Sequence, residues 1–127
     1  MYSCGARWYT FYIKKVNPLN PSNQSQLCPR FEKAMELLGK RWTALIIFAL
    51  LPGPQRFHAI EAFIPNLSGK MLTERLRELE AEGLIRRDVY PEMPVRIEYS
   101  LTEKGKALSP LFEDIGRWAD QWIDAAK

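Results

Sequence analysis

Along this chain apolar residues recur with a helical period in some stretches and alternate in others, and the switches between the two mark the elements. After Cys28-Pro29, Phe31, Ala34, Met35 and Leu38 fall at helical spacing until Gly39, and proline suits the first position of a helix. Trp42 to Leu51 is apolar nearly all round, which predicts a central buried helix stopped by Pro52-Gly53-Pro54. Gln55-Arg56-Phe57 is too short to assign. Ala59, Ile60, Phe63 and Ile64 then line one face of a short helix that ends at Pro65-Asn66. The next helix is the best bounded of all, because Ser68 caps its start and Gly83 closes its end in a left-handed conformation. At about 100° per residue, Leu72, Leu76 and Leu79 share a narrow stripe. Lys70, Thr73, Glu74, Arg77 and Ala81 lie opposite.

Beyond Gly83 the period becomes alternating. Val95, Ile97, Tyr99 and Leu101 point one way and Arg96, Glu98 and Ser100 the other, which predicts a half-buried strand. Leu84 to Tyr90 is its antiparallel partner, and Pro91-Glu92-Met93-Pro94 is the tip between them. From the Thr102 cap onward, Leu108, Leu111, Phe112, Ile115, Trp118 and Trp122 form a wide apolar stripe on a last helix. Two tryptophans near a chain end exceed what a small core asks for. They predict a two-fold dimer interface built with Phe31 of the first helix. A short helix, a tight turn, a second helix and a hairpin make a winged helix-turn-helix. The expected fold is therefore α+β and mainly helical, with a β-hairpin wing and added N- and C-terminal dimerisation helices. Residues 1–27 form a tail or arm, and residues 28–127 one domain.

Composition narrows function less than pattern does. The chain has 127 residues, enough for one domain with a modest core. A net charge of +3 supports nucleic-acid binding only weakly, so the placement of cations matters more. No apolar run approaches the roughly 20 residues of a membrane span, and aromatics precede Lys14 and Lys15, the reverse of a secretory signal, which points to the cytoplasm. Cys4 and Cys28 are the only cysteines and His58 the only histidine, so neither a disulfide framework nor a zinc cluster is expected. No metal or cofactor is expected. The aromatics Trp8, Tyr9, Phe11 and Tyr12, followed by the polar run from Asn17 to Gln26, leave two readings open: a mobile tail, or an arm packing its rings on a partner subunit.

The chemistry legible in these residues is recognition rather than catalysis. There is no glycine-rich phosphate loop, Ser-His-Asp set or metal spacing, and the carboxylates interleave with Lys and Arg as solvated faces do. The chain is not expected to be an enzyme. Ser68, Lys70, Thr73, Glu74 and Arg77 form the face offered to a major groove, and the N-terminal turn at Ser68 can hold a phosphate. Arg86, Arg87 and Arg96 on the wing either reach phosphates or pair with Asp88 and Glu98. Cys28, at a helix start beside Arg30, is either a merely packed cysteine or, because these surroundings lower a thiol pKa, a candidate oxidant sensor. His58 reads as a cap or packed ring.

Several ordered motifs, Cys28-Pro29, Leu38-Gly39-Lys40-Arg41-Trp42, Gly53-Pro54-Gln55-Arg56-Phe57, Leu67 to Thr73, Leu76 to Ile85 and Tyr90 to Gly105, resemble the HxlR family of bacterial winged helix-turn-helix regulators. The likeness runs from Cys28 to about Trp122. It implies a homodimer on an inverted-repeat operator, each subunit laying the helix that begins at Ser68 in a major groove of double-stranded DNA with its wing alongside. It also implies that a cysteine before proline here can sense a small electrophile or oxidant as effector. Members with a disulfide switch use a second cysteine nearer the C-terminus, which this sequence lacks, so a Cys28-to-Cys28 bridge or a mixed adduct stays open. Two other classes also remain: a winged domain with only protein partners, and a binder of small aromatic ligands near the last helix.

Overall fold

The computed structural model describes Tyr9, Thr10, Ile13 and residues 27–124, so most of the expected tail or arm lies outside the described residues. The chain divides into two units, Met1–Lys40 and Arg41–Lys127. In the first, helix α1 spans Pro29–Leu38 with Pro29 in its first turn and Cys28 as N-cap. None of its residues is buried, and Phe31 and Met35 are about half exposed. Cys28 itself is buried, and it is disulfide-bonded.

The second unit is built on α2, Thr43–Leu50, whose Ile46, Ile47, Ala49 and Leu50 are buried. The helix is apolar all round, yet it is not enclosed all round: Leu45 and Phe48 stay about half exposed. It also starts one residue later than its sequence suggests, because Trp42 is the N-cap and adopts a left-handed φ of 81°. Helix α3 spans Phe57–Phe63, beginning before the expected Ala59, and Ile60 is its buried residue. After Asn66, at φ 68°, helix α4 runs Gly69–Ala81 between the Ser68 N-cap and the Glu82 C-cap. Its buried residues are Leu72, Leu76 and Leu79, as the stripe requires. Each such side chain contributes about 1.5–3 kcal/mol when fully buried.

Gly83, at φ 77°, lets the chain reverse so that the Leu84 N–H donates to the Leu79 carbonyl at 2.9 Å. Strands β1, Ile85–Tyr90, and β2, Arg96–Leu101, then pair antiparallel, from Ile85 opposite Leu101 to Tyr90 opposite Arg96. Gln55 adds a bridge to Tyr99 through two backbone hydrogen bonds of 2.9 and 2.8 Å. The expected alternation of β2 fails at both ends. Ser100, assigned to the solvent side, is buried because the base of β2 meets α2, α3 and α5 (Glu103–Lys106), whereas Val95 at the tip is exposed.

The last helix is two helices. Thr102 caps α5 through a 3.3 Å bond from the Gly105 N–H. Helix α6 is Ser109–Trp122, with Pro110 in its first turn, where a proline cannot continue the preceding helix but can begin a new one. No residue of α6 is buried. Among the described residues, no helix is long and apolar enough to cross a membrane.

Candidate nucleic-acid interface

Helix α4 holds its inner edge with three leucines, and this fixes which side chains leave the molecule. Lys70, Glu74 and Arg77 are exposed, and Thr73 is half-buried. Lys70 and Arg77 have no hydrogen bond or ion pair among the described residues. Seven residues apart, they stand about 10 Å from each other along the helix axis. The Thr73 hydroxyl donates to the Gly69 carbonyl at 2.8 Å, so toward a ligand it retains acceptor capacity only. Ser68 remains exposed, and its Oγ accepts from the Met71 N–H at 3.1 Å. A protein carboxylate stands at the same helix end: a Cβ on Gly69 would lie 3.2 Å from Glu61 Oε2. A phosphate approaching this turn therefore meets Glu61, which sequence reading did not assign to the site.

The wing cations separate into two kinds. Arg86 pairs with Asp88 at 3.1 Å. Arg96 is held by Glu92 at 3.0 Å and Glu98 at 2.6 Å, with its guanidinium 4.0 Å from the centre of the Tyr90 ring. The hydrogen bond from Arg96 lowers the Glu92 pKa below its ordinary value, and the bonds to Glu92 and Glu98 raise that of Arg96. For these two arginines the paired alternative is the one realised. Arg87 is exposed and has no such partner among the described residues.

Arg75 is the residue that sequence reading passed over. It neighbours the leucine stripe on the wheel, and its side chain is only 15% exposed. Its Nε donates to the Arg41 carbonyl at 2.9 Å and its Nη1 reaches Glu78 at 3.2 Å. The signal available was its place beside Leu79 rather than among the outward residues. His58 is not a cap, and its ring meets Phe57 only edge-on, with centres 6.2 Å apart. Its side chain is 94% exposed, with Nδ1 3.7 Å from Glu61 Oε1, because the buried face of α3 is carried by Ile60 instead.

Away from the basic face, α6 presents Leu111, Ile115, Trp118 and Trp122 to solvent, while Leu108 and Phe112 are half-buried. Phe112 meets Phe48 with ring centres 6.1 Å apart, and Phe48 stacks on Phe63 at 6.2 Å. Beside them lies a hollow of about 250 Å3 lined by Phe48, Leu51, Pro52, Gln55, Ile60 and Phe63. Trp118 and Trp122 of the last helix are not part of this aromatic lining.

In the first unit, Cys28, the candidate sensor, is packed rather than open to solvent. Cys28 is 4% exposed and is half of a disulfide, with no side-chain hydrogen bond capping α1. The sequence holds one other cysteine, Cys4, outside the described residues. Two cysteines make no disulfide framework, but the single bridge at Cys28 is within what the sequence leaves open.

The sequence profile described as HxlR-like helix-turn-helix matches residues 37–127. The chain is 66% identical over 102 residues to the HTH-type transcriptional regulator YvaP of Bacillus subtilis strain 168, covering 80% of this chain and 94% of that one. It is 51% identical over 98 residues to the HTH-type transcriptional regulator YodB of the same strain, covering 77% and 88%. The reduced form of YodB superposes with a TM-score of 0.69, covering 80% of this chain and 99% of that structure. YodB has also been solved diamide-treated and quinone-bound. The redox regulator HypR in its oxidised form is 35% identical with a TM-score of 0.71, covering 77% of this chain and 100% of that one. With its helix-turn-helix, its two-stranded wing and these matches, the chain belongs to the HxlR-like helix-turn-helix family.

Proposed function

We propose that this protein is a homodimeric, sequence-specific DNA-binding transcriptional regulator that works in the cytoplasm and carries no catalytic activity. Helix α4 enters a major groove with Ser68, Lys70, Thr73, Glu74 and Arg77 facing the bases and phosphates, and the wing follows the backbone with Arg87 as its available cation. Arg86 and Arg96 shape the wing. The observation that carries this reading is that Lys70 and Arg77 project from a helix whose opposite side is locked into the core, with no protein anion among the described residues to neutralise them.

Dimerisation is inferred from the open apolar faces. Leu111, Ile115, Trp118 and Trp122 on α6, and Phe31 on α1, are large side chains left in solvent by one chain, and a second copy would bury them. Redox or electrophile control is inferred from the disulfide at Cys28, together with the oxidised, diamide-treated and quinone-bound forms in which HypR and YodB have been obtained.

Selection of bound duplexes from a random pool tests this reading. The expected product is an inverted repeat with half-sites about one helical turn, or a multiple, apart. Arg77→Ala should then cost about 1–3 kcal/mol in an anisotropy titration if it reads a base edge. No enriched duplex, with partner proteins still captured, would favour a protein-contact module instead.

A further inference from the structure

The recognition helix begins with a residue that has no side chain, and the neighbouring helix fills the space. Phe57 and Glu61, one turn apart on α3, both approach Gly69 at the start of α4. A Cβ on Gly69 would lie 3.2 Å from Glu61 Oε2 and 3.8 Å from the Phe57 ring. The other carboxylate oxygen, Oε1, is 3.7 Å from Nδ1 of His58, whose ring is too exposed to hold it in place. The Glu61 side chain is itself 37% exposed, so its charge stands at the surface rather than in the core. The cap beside it is already committed: Ser68 Oγ accepts the Met71 N–H and the Ser68 carbonyl accepts that of Leu72. The Gly69 and Lys70 N–H groups come before these and form the positive end of the helix. An anionic side chain beside them favours the helix, and it takes the place where a phosphate would otherwise bind.

We propose that Glu61 is a specificity-determining residue of the DNA interface, which reads a cytosine amino group in the major groove and keeps backbone phosphates off the first turn of α4. A carboxylate is an acceptor only. In the major groove guanine offers two acceptors and thymine one, and adenine sets its amino donor beside an acceptor, whereas cytosine offers a donor alone. The first turn of a recognition helix is the part that meets base edges, and Glu61 reaches that level of α4 from α3. Its charge therefore weakens binding in every register that brings a phosphate to the turn, and strengthens it where a cytosine N4 arrives. Lys70 and Arg77 attract any duplex; Glu61 makes that attraction selective. The inference deepens the DNA-binding reading above and rests on it.

Duplexes would be selected from a random pool by the full chain and by Glu61→Gln, which keeps the shape of the side chain and removes its charge. The expected wild-type product carries a cytosine at one position of each half-site. There the variant should lose the preference by about tenfold or turn to adenine, whose N6 and N7 a glutamine amide pairs with. Affinity for an unrelated duplex should rise in the variant by about three- to tenfold at low salt, because one repelling charge per subunit is gone. Glu61→Ala should lose the cytosine preference without gaining one for adenine, which guards against an effect peculiar to the amide. Identical base preferences in the wild type and Glu61→Gln overturn the inference. So does a higher non-specific affinity with unchanged preferences, since Glu61 is then a repelling charge and nothing more. An enriched duplex whose sequence ignores Glu61 sinks this inference alone. No enriched duplex for the wild type sinks the DNA-binding reading together with it.

Discussion

Arg87 and Arg96 carry the same charge on paired strands of one hairpin, yet their surroundings give them different work. Arg96 is shared between Glu92 and Glu98 and stacked over Tyr90, so contact with a phosphate would require breaking bonds already made. Arg87 gives up nothing to reach out. The expected outcome is that Arg87→Ala lowers the slope of log affinity against log salt by about one, as loss of one phosphate contact does. Arg96→Ala should leave that slope nearly unchanged. Fluorescence anisotropy at several salt concentrations separates the two.

At the scale of elements, the junction of wing and α5 depends on close approach. A Cβ at Gly105 would collide with the Leu84 carbonyl oxygen and come within 2.9 Å of Leu101 Cδ2. A backbone oxygen paired to the Thr102 N–H at 3.0 Å cannot simply step aside. Gly105→Ala should therefore destabilise the fold by about 1–3 kcal/mol, as overpacking does, seen as a lower denaturant midpoint. The wing tip has a pH signature instead. Glu92 has a folded pKa below its ordinary value of 4.5, chiefly through the Arg96 hydrogen bond. A depressed carboxylate favours the folded wing above its unfolded pKa, and that contribution fades as pH falls through the lowered value. An NMR titration should find the Glu92 carboxyl titrating below exposed glutamates, and Arg96→Ala should return it to the usual range.

For the whole molecule, the decisive feature is how much apolar surface one chain leaves open. Trp118 and Trp122 are 57% and 67% exposed on a helix with no buried residue. Aromatic side chains can bury about 150–250 Å2 each, so replacing both with alanine should shift the protein from dimer toward monomer in sedimentation equilibrium. Operator binding should then weaken, and the thermal midpoint should become less dependent on protein concentration, because folding and association are linked. Phe48, Phe63 and Phe112 also stay partly open beside the aromatic hollow, but α6 carries the tryptophans.

What the sequence determined by itself is what local rules govern. Hydrophobic period and capping residues located α4 to within a residue at each end, because Ser68 and the glycine at position 83 act on their own backbone. The hairpin followed from two short extended segments around a proline-rich tip, while its register came from the structure. Tertiary structure alone decided the rest, because it depends on which groups meet across distance. It paired Arg86 and Arg96 with acids and left Arg87 without one among the described residues, buried Ser100 where helices close over the base of the sheet, and placed Glu61 at the recognition helix. It also joined Arg75 to a carbonyl 34 positions away, a contact no periodicity encodes, since it depends on which segments tertiary packing brings together.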